Sequence, residues 1–152
     1  ESIEDPDLLL VIAGDGELKK KFNKFLIKNK MENKIIFLGY QKNIHNLLKK
    51  CFCFILTSLW EDPGFVLIEA AANNASIISS NCPSGPKEIL KYGKGGTLFK
   101  SNNLQSLQES YTKFKKLGKN EIYMQKICAK KVAIDYTKFR HYKKLNNFFD
   151  EN

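Results

Sequence analysis

Short apolar segments alternate with segments of helical spacing along nearly the whole chain. The apolar segments are too short for buried helices, and several are followed directly by turn-forming residues, which is typical of buried parallel strands. The predicted strands are Leu8–Ala13, Ile35–Leu38, Cys53–Leu56, Ser76–Ser79 and Thr97–Phe99. The predicted helices are Glu17–Asn29, Ile44–Lys50, Phe65–Asn73, Gly85–Tyr92, Leu104–Leu117 and Glu121–Phe149, the last with a break at residues 136–139. Regular alternation predicts an α/β fold, in which a parallel sheet has helices on both faces.

Length and composition predict one globular domain over residues 1–152. The chain has 152 residues, of which 43% are hydrophobic and 12% aromatic. That content is enough for one substantial core and argues against disorder. We see no internal repeat and no low-complexity linker that would divide the chain.

The net charge of +9 suggests nucleic-acid binding, but the identity of the basic residues argues against it. Of 25 basic residues, Arg140 is the only arginine, and lysine reads bases less well than arginine. Lysine is accompanied by abundant Asn, Ile, Phe and Tyr, the amino acids of AT-rich codons, so compositional bias accounts for much of the charge. We therefore expect no nucleic-acid partner. If the basic surface is functional, an anionic membrane surface is the preferred partner.

The cysteine pattern and the hydropathy indicate the cellular compartment in which the chain is expected to work. Cys51, Cys53, Cys82 and Cys128 lack metal-ligand spacing, which favours buried free thiols and a reducing, cytoplasmic environment over a metal site or disulfide. No apolar run approaches the length of a membrane span, so any membrane contact is expected to be peripheral, at the inner face.

The turn after strand Cys53–Leu56 is the best candidate for a ligand site. Asp62-Pro-Gly64 joins the strand to a helix that begins at Phe65. Pro63 suits a helix entry, and Gly64 lets another group approach the backbone. The N–H groups of Phe65, Val66 and Leu67 at the helix start are expected to be unpaired, and such groups bind phosphate.

Two glutamates bracket this turn. Glu61 precedes it, and Glu69 lies about one helical turn after it, with seven residues between them. A carboxylate has two acceptor oxygens, which suits the hydroxyl pair of a ribose at Glu69 and the hydroxyls of a sugar at Glu61. The spacing favours this interpretation over an ordinary surface carboxylate.

These residues resemble the E-x7-E segment of retaining nucleotide-sugar glycosyltransferases of family 4. The segments around it are similar to that family's strands and glycine turns as well. The matching segments are Leu8–Glu17, Ile35–Tyr40, Ser84–Leu90 and Gly95–Phe99. The resemblance covers roughly residues 7–150 and implies the C-terminal, donor-binding half of a GT-B fold, a Rossmann-like domain.

The resemblance implies roles for individual residues. Glu69 corresponds to the ribose-binding glutamate, and Glu61, the catalytic candidate, to the glutamate facing the sugar. The remaining implied binding residues are Gly39 and Tyr40 beside the nucleobase, and Gly64, Phe65, Val66 and Leu67 at the diphosphate. The substrate would be a nucleotide-sugar such as a UDP- or GDP-sugar, with no cofactor and no metal.

Several further candidate ligand-binding residues also have a purely structural interpretation. Gly14 and Gly16 form either a phosphate contact or an ordinary strand-to-helix turn. Ser84 and Gly85 belong either to the ligand pocket or to a helix cap. Trp60 is expected to pack in the core rather than stack on a sugar, and His45 and His141 are expected to be solvated without partners.

The chain departs from the family pattern at its start. The family's preceding strand and helix, with an Arg and a Lys that grip the diphosphate, have no match here, and residues 1–7 read as the end of a helix and a loop. We therefore expect a truncated domain whose segment 121–152 crosses toward an absent N-terminal, acceptor-binding domain. The predicted function is transfer of a sugar to a glycan or lipid-linked acceptor in cell-surface polysaccharide synthesis, with this chain alone inactive. The alternatives are a non-catalytic nucleotide-sugar-binding or interaction module and, ranked lower, a nucleic-acid-binding domain.

Overall fold

The computed structural model of the protein describes residues 8–150, and the chain divides into two compact units, residues 1–44 and 45–152. The loop predicted for residues 1–7 lies outside the described residues. The single-domain organisation over residues 1–152 stays a prediction.

The first unit is built on two parallel strands. Strand β1 (Leu10–Ala13) is followed by helix α1 (Lys19–Lys28), a 3-10 turn (Glu32–Lys34) and strand β2 (Ile35–Gly39). The two strands pair from Leu10 opposite Ile35 to Ala13 opposite Gly39, with an irregularity after Ile12. A helix between two parallel strands is the crossover that such pairing requires.

The second unit contains the remaining elements, in which helices and strands alternate until three consecutive helices end the chain. Its strands are β3 (Phe54–Leu56), β4 (Ile77–Ser80) and β5 (Thr97–Phe99). Its helices are α2 (His45–Lys50), α3 (Phe65–Ala72), α4 (Pro86–Ile89), α5 (Leu104–Lys115), α6 (Lys119–Asp135) and α7 (Lys138–Asp150), and a 3-10 turn (Lys91–Gly93) follows α4. The sheet is parallel in the order β3-β4-β5, and every residue of the central strand β4 is buried. The predicted α/β class, with parallel strands and helices on both sides, is confirmed.

The core of the second unit surrounds β4. Its largest fully buried apolar side chains are Leu67, Ile77, Ile78, Ile89, Leu90 and Phe114. Two glycines before β5 allow close packing, because a Cβ on Gly96 would lie 2.7 Å from the Ile77 carbonyl oxygen and one on Gly95 would lie 3.2 Å from the Ala129 backbone nitrogen. The sheet and α6 therefore approach each other more closely than side chains at these positions would permit.

Most predicted elements match the structure to within one or two residues at each end. The predicted break after α6 is confirmed, since α6 ends at Asp135 and α7 begins at Lys138. Helix Gly85–Tyr92 is wrong in its second half, because α4 ends at Ile89 and Lys91 and Tyr92 adopt left-handed backbone conformations. No helix among residues 8–150 is long and apolar enough to cross a bilayer.

Candidate functional site

The site is built on the turn between β3 and α3. Gly64 is the N-cap of α3, with φ 91° and ψ 53°. A Cβ there would meet only ordinary contacts, the nearest at 3.6 Å from Glu61. The left-handed conformation is what favours glycine at this position, and the approach of a ligand group to the Gly64 backbone stays a prediction.

Two backbone N–H groups at the start of α3 remain available. Within residues 8–150, those of Phe65 and Val66 form no hydrogen bond. The expectation of an unpaired N–H at Leu67 is wrong, because this group donates to the Gly64 carbonyl oxygen at 2.9 Å. The helix start therefore offers two free donors, together with the positive end of the helix dipole.

Glu61 is held beside this helix start. The Ser58 hydroxyl donates to Glu61 Oε1 at 2.5 Å, and the Glu61 backbone N–H donates to the Pro83 carbonyl oxygen at 3.2 Å. Glu61 Oε2 lies 3.6 Å from the position that a Cβ on Gly64 would occupy. The half-buried carboxylate thus adjoins the N-cap of α3.

Glu69 lies on the same helix, five residues after Gly64, which is about 7 Å along the helix axis. It is exposed, whereas its neighbours Ala70 and Ala71 are buried. No hydrogen bond or ion pair engages its carboxylate among the described residues. The Glu69 carboxylate is therefore free to bind a ligand.

The turn between β4 and α4 packs against the first one. Ser84 and Gly85 both have positive φ, 57° and 109°. A Cβ on Gly85 would lie 2.6 Å from the Pro63 carbonyl carbon and nearer still to its oxygen. The structure therefore brings Ser84 and Gly85 to the same sheet edge as Glu61, and the two turns are in close backbone contact at Gly85 and Pro63.

The first unit contains its own cluster of candidate residues. The Gly14 N–H donates to the Gly39 carbonyl oxygen at 2.8 Å, which joins the turns after β1 and β2. A cavity of about 320 Å³ is lined by Gly14, Gly16 and Lys19 and by the apolar side chains of Ile12, Leu18, Phe22 and Phe37. Tyr40 follows β2 and is exposed. The ligand roles of Gly14, Gly16, Gly39 and Tyr40 stay predictions.

Two expectations about other side chains are wrong. Trp60 is 63% exposed rather than packed in the core, because it lies in the loop outside the sheet edge. His45 is exposed as expected, but it has a partner, since Asn73 Nδ2 lies 2.8 Å from its Nδ1. His141 is exposed on α7.

All four cysteines are free thiols, of which Cys82 is buried and the others are half-buried. Burial raises the pKa of Cys51, and burial together with the neighbouring Cys51 raises the pKa of Cys53 to about 12. Cys51 and Cys53 are therefore poor nucleophiles and poor metal ligands at neutral pH. Among residues 8–150, no three His, Cys, Asp or Glu side chains are grouped so as to hold a metal ion.

Sequence reasoning missed two serines. Ser80, in β4, is fully buried and donates through Oγ to the Ser58 carbonyl oxygen at 2.6 Å. Ser58 in turn donates to Glu61. Two consecutive serines in an otherwise apolar strand could have indicated such a hydrogen bond, because a buried hydroxyl requires a hydrogen-bond partner.

Comparisons with known proteins agree with this architecture. The family model for glycosyl transferases group 1 matches residues 1–131. An uncharacterized glycosyltransferase from Methanocaldococcus jannaschii is 44% identical over 85 residues, which cover 56% of this chain and 21% of that protein. The UDP-Gal:alpha-D-GlcNAc-diphosphoundecaprenol alpha-1,3-galactosyltransferase of Escherichia coli is 28% identical over 146 residues, which cover 95% of this chain and 37% of that protein.

A solved structure shows the same fold. The crystal structure of HepE from Anabaena in complex with UDP superposes with a TM-score of 0.83 at 18% identity, over 97% of this chain and 42% of that one. The chain thus spans well under half the length of the relatives that it matches. Because the family model covers most of the sequence and the fold agrees, the chain belongs to the group 1 glycosyltransferases.

Proposed function

We propose that this chain is the part of a retaining glycosyltransferase that binds the nucleotide-sugar. The observation that supports this most directly is the juxtaposition at the start of α3. There, two free backbone N–H groups, at Phe65 and Val66, adjoin the anchored carboxylate of Glu61. A diphosphate suits the N–H groups, and a hydroxylated sugar suits the carboxylate.

Each part of the nucleotide-sugar then has a partner. Phe65 and Val66 bind the diphosphate, and Glu69 binds the ribose diol further along α3. Glu61 accepts hydrogen bonds from the sugar and orients it, without acting as a nucleophile. As the sugar–phosphate bond breaks, negative charge grows on the departing diphosphate, and the start of α3 stabilises that charge electrostatically. No metal is needed for these roles.

A UDP-sugar is the preferred substrate. The galactosyltransferase relative uses UDP-Gal by its name, and the HepE neighbour was crystallised with UDP. We further propose that the full-length enzyme transfers the sugar to a glycan or lipid-linked acceptor in polysaccharide synthesis, at the inner face of the membrane. The same relative has a lipid-linked diphosphoundecaprenol acceptor in its name.

Calorimetric titration with UDP-, GDP- and ADP-sugars tests the proposal. Glu69→Ala is expected to weaken UDP and UDP-sugar binding alike, by about 10- to 100-fold, the equivalent of one charged hydrogen bond. Glu61→Ala is expected to weaken only the sugar-bearing ligand. Glu109→Ala, an equal charge change on the exposed surface of α5, is the control.

The outcomes are distinct. A folded protein that binds none of the nucleotides contradicts the proposal. Equal losses for UDP and UDP-sugar in both variants contradict the separate roles of Glu61 and Glu69. Sugar transfer by the full-length protein, assayed with glycan and lipid-linked acceptors, distinguishes a transferase from a non-catalytic binding module.

A further inference from the structure

A chain of hydrogen bonds connects the buried central strand to Glu61. Ser80, in β4, is completely buried, and its hydroxyl donates to the Ser58 carbonyl oxygen at 2.6 Å. The Ser58 hydroxyl then donates to Glu61 Oε1 at 2.5 Å. The central, fully buried strand of the sheet is thereby linked to the carboxylate through a single residue.

The Ser58–Glu61 pair is not a helix capping box, although its S-x-x-E spacing matches one. No helix begins here, because β3 ends at Leu56 and α3 begins at Phe65. In a capping box the serine oxygen accepts from the backbone N–H three residues later. Here the Glu61 N–H donates to Pro83, and the serine hydroxyl donates to the carboxylate. The contact therefore orients the side chain rather than a helix end.

The two carboxylate oxygens consequently have different surroundings. Oε1 is bound to Ser58, whereas Oε2 lies over Gly64 at the start of α3. A glutamate side chain has three rotatable bonds, and a hydroxyl anchored to the sheet reduces the number of positions that its carboxylate samples. Oε2 is thus held where the proposed sugar would lie.

We propose that Ser58 and Ser80 are positioning residues for Glu61, with Ser58 acting directly and Ser80 acting by fixing the Ser58 backbone. This inference rests on the proposed function. It assigns Oε2 of Glu61 as the oxygen that accepts from the sugar hydroxyl. Neither serine is assigned a contact with the nucleotide, so their effects are expected to depend on the presence of the sugar.

Calorimetry with two ligands separates positioning from stability. UDP and the tightest-binding of UDP-galactose, UDP-glucose and UDP-N-acetylglucosamine are titrated into each variant. Ser58→Ala is expected to weaken UDP-sugar binding about 5- to 10-fold, the equivalent of one hydrogen bond, and to leave UDP binding within twofold. Ser58→Thr keeps the hydroxyl and is expected to restore UDP-sugar binding. Ser80→Ala is expected to give a smaller loss of the same kind, about 2- to 5-fold.

Ser110→Ala is the matched control. Its hydroxyl also donates to a backbone carbonyl, that of Leu98, but on α5 rather than beside Glu61. It is expected to change neither affinity. Equal losses of UDP and UDP-sugar in Ser58→Ala would show a merely structural role and overturn the inference, as would UDP-sugar binding equal to that of the wild type.

A crystal structure of Ser58→Ala tests the positioning without any ligand. Movement of the Glu61 carboxylate away from Gly64 supports it, and an unchanged carboxylate overturns it. Wild-type protein that binds no nucleotide overturns the proposed function, and the crystal structure still decides whether Ser58 positions Glu61.

Discussion

Gly85→Ala should be among the most damaging small substitutions in this protein. The added Cβ would lie 2.6 Å from the Pro63 carbonyl carbon and nearer still to its oxygen. Both atoms belong to backbone, so no side-chain rotation relieves the overlap. The β3–α3 turn and the β4–α4 turn must move apart, and Gly64, the N-cap of α3, follows Pro63 directly.

Two contributions lower the free energy of unfolding of Gly85→Ala. Gly85 has φ 109° and ψ −52°, a conformation that other residues adopt only with strain of about 1–3 kcal/mol. The overlap with Pro63 costs about another 1–3 kcal/mol, as overpacking typically does. The expected loss in the free energy of unfolding is therefore about 2–6 kcal/mol, measured by urea denaturation followed by circular dichroism.

Gly93→Ala separates the two costs. Gly93 also has a positive φ, 93°, but a Cβ there would meet no atom within 4 Å. This control should lose only the strain, about 1–3 kcal/mol. If Gly85→Ala is no more destabilising than Gly93→Ala, the backbone at Pro63 moves aside without loss of stability, and the predicted cost of the overlap is wrong. Gly85→Ala should also weaken UDP binding beyond what the unfolded fraction explains, whereas Gly93→Ala should not.

Three further predictions concern stability. The free energy of unfolding of the wild type, relative to that of Cys53→Ala, should fall as pH rises from 9.0 to about 12. The expected slope is up to about 1.4 kcal/mol per pH unit, because the Cys53 thiol ionises at a lower pH in the unfolded chain than in the folded protein. Urea denaturation at several pH values measures this slope. Asn103→Ala should cost about 0.5–2 kcal/mol in the same assay, since its side chain accepts from the Ser106 N–H at 2.7 Å as the N-cap of α5, and Gln105→Ala should cost less. Phe114→Ala should cost about 3–5 kcal/mol, because this side chain is fully buried, and a loss below 1 kcal/mol would contradict the assigned core.

The elements themselves were predictable because their signals are local. The apolar run that ends at Leu56 and the helical segment from Phe65 occur in the structure as β3 and α3. Alternation of such segments is sufficient to predict parallel pairing. The prediction of helix Gly85–Tyr92 was wrong for a local reason as well. Lys91 and Tyr92 adopt left-handed conformations, which their residue types do not predict.

The contacts within the site were not predictable in the same way. The Gly85–Pro63 contact joins residues 22 positions apart, and only tertiary packing creates it. Spacing alone likewise does not show whether Leu67 or Phe65 keeps a free N–H group, because that depends on how tightly the first helical turn is wound. The sequence therefore indicates which turn is the candidate ligand site, but not which atoms of that turn are available.

The position of Glu61 depends on two strands rather than one. Its chain segment emerges from β3, but its backbone N–H is bound to Pro83, which follows β4, and its carboxylate is connected to β4 through Ser58 and Ser80. Because β4 is the central, fully buried strand, these bonds connect the carboxylate to the most deeply buried part of the sheet, where local opening is expected to be rarest. Substitutions after β4 should therefore alter sugar recognition even though they lie more than 20 residues from Glu61. A loop that carried Glu61 by itself, without these bonds, would let the carboxylate sample many positions and would discriminate poorly between a nucleotide and a nucleotide-sugar.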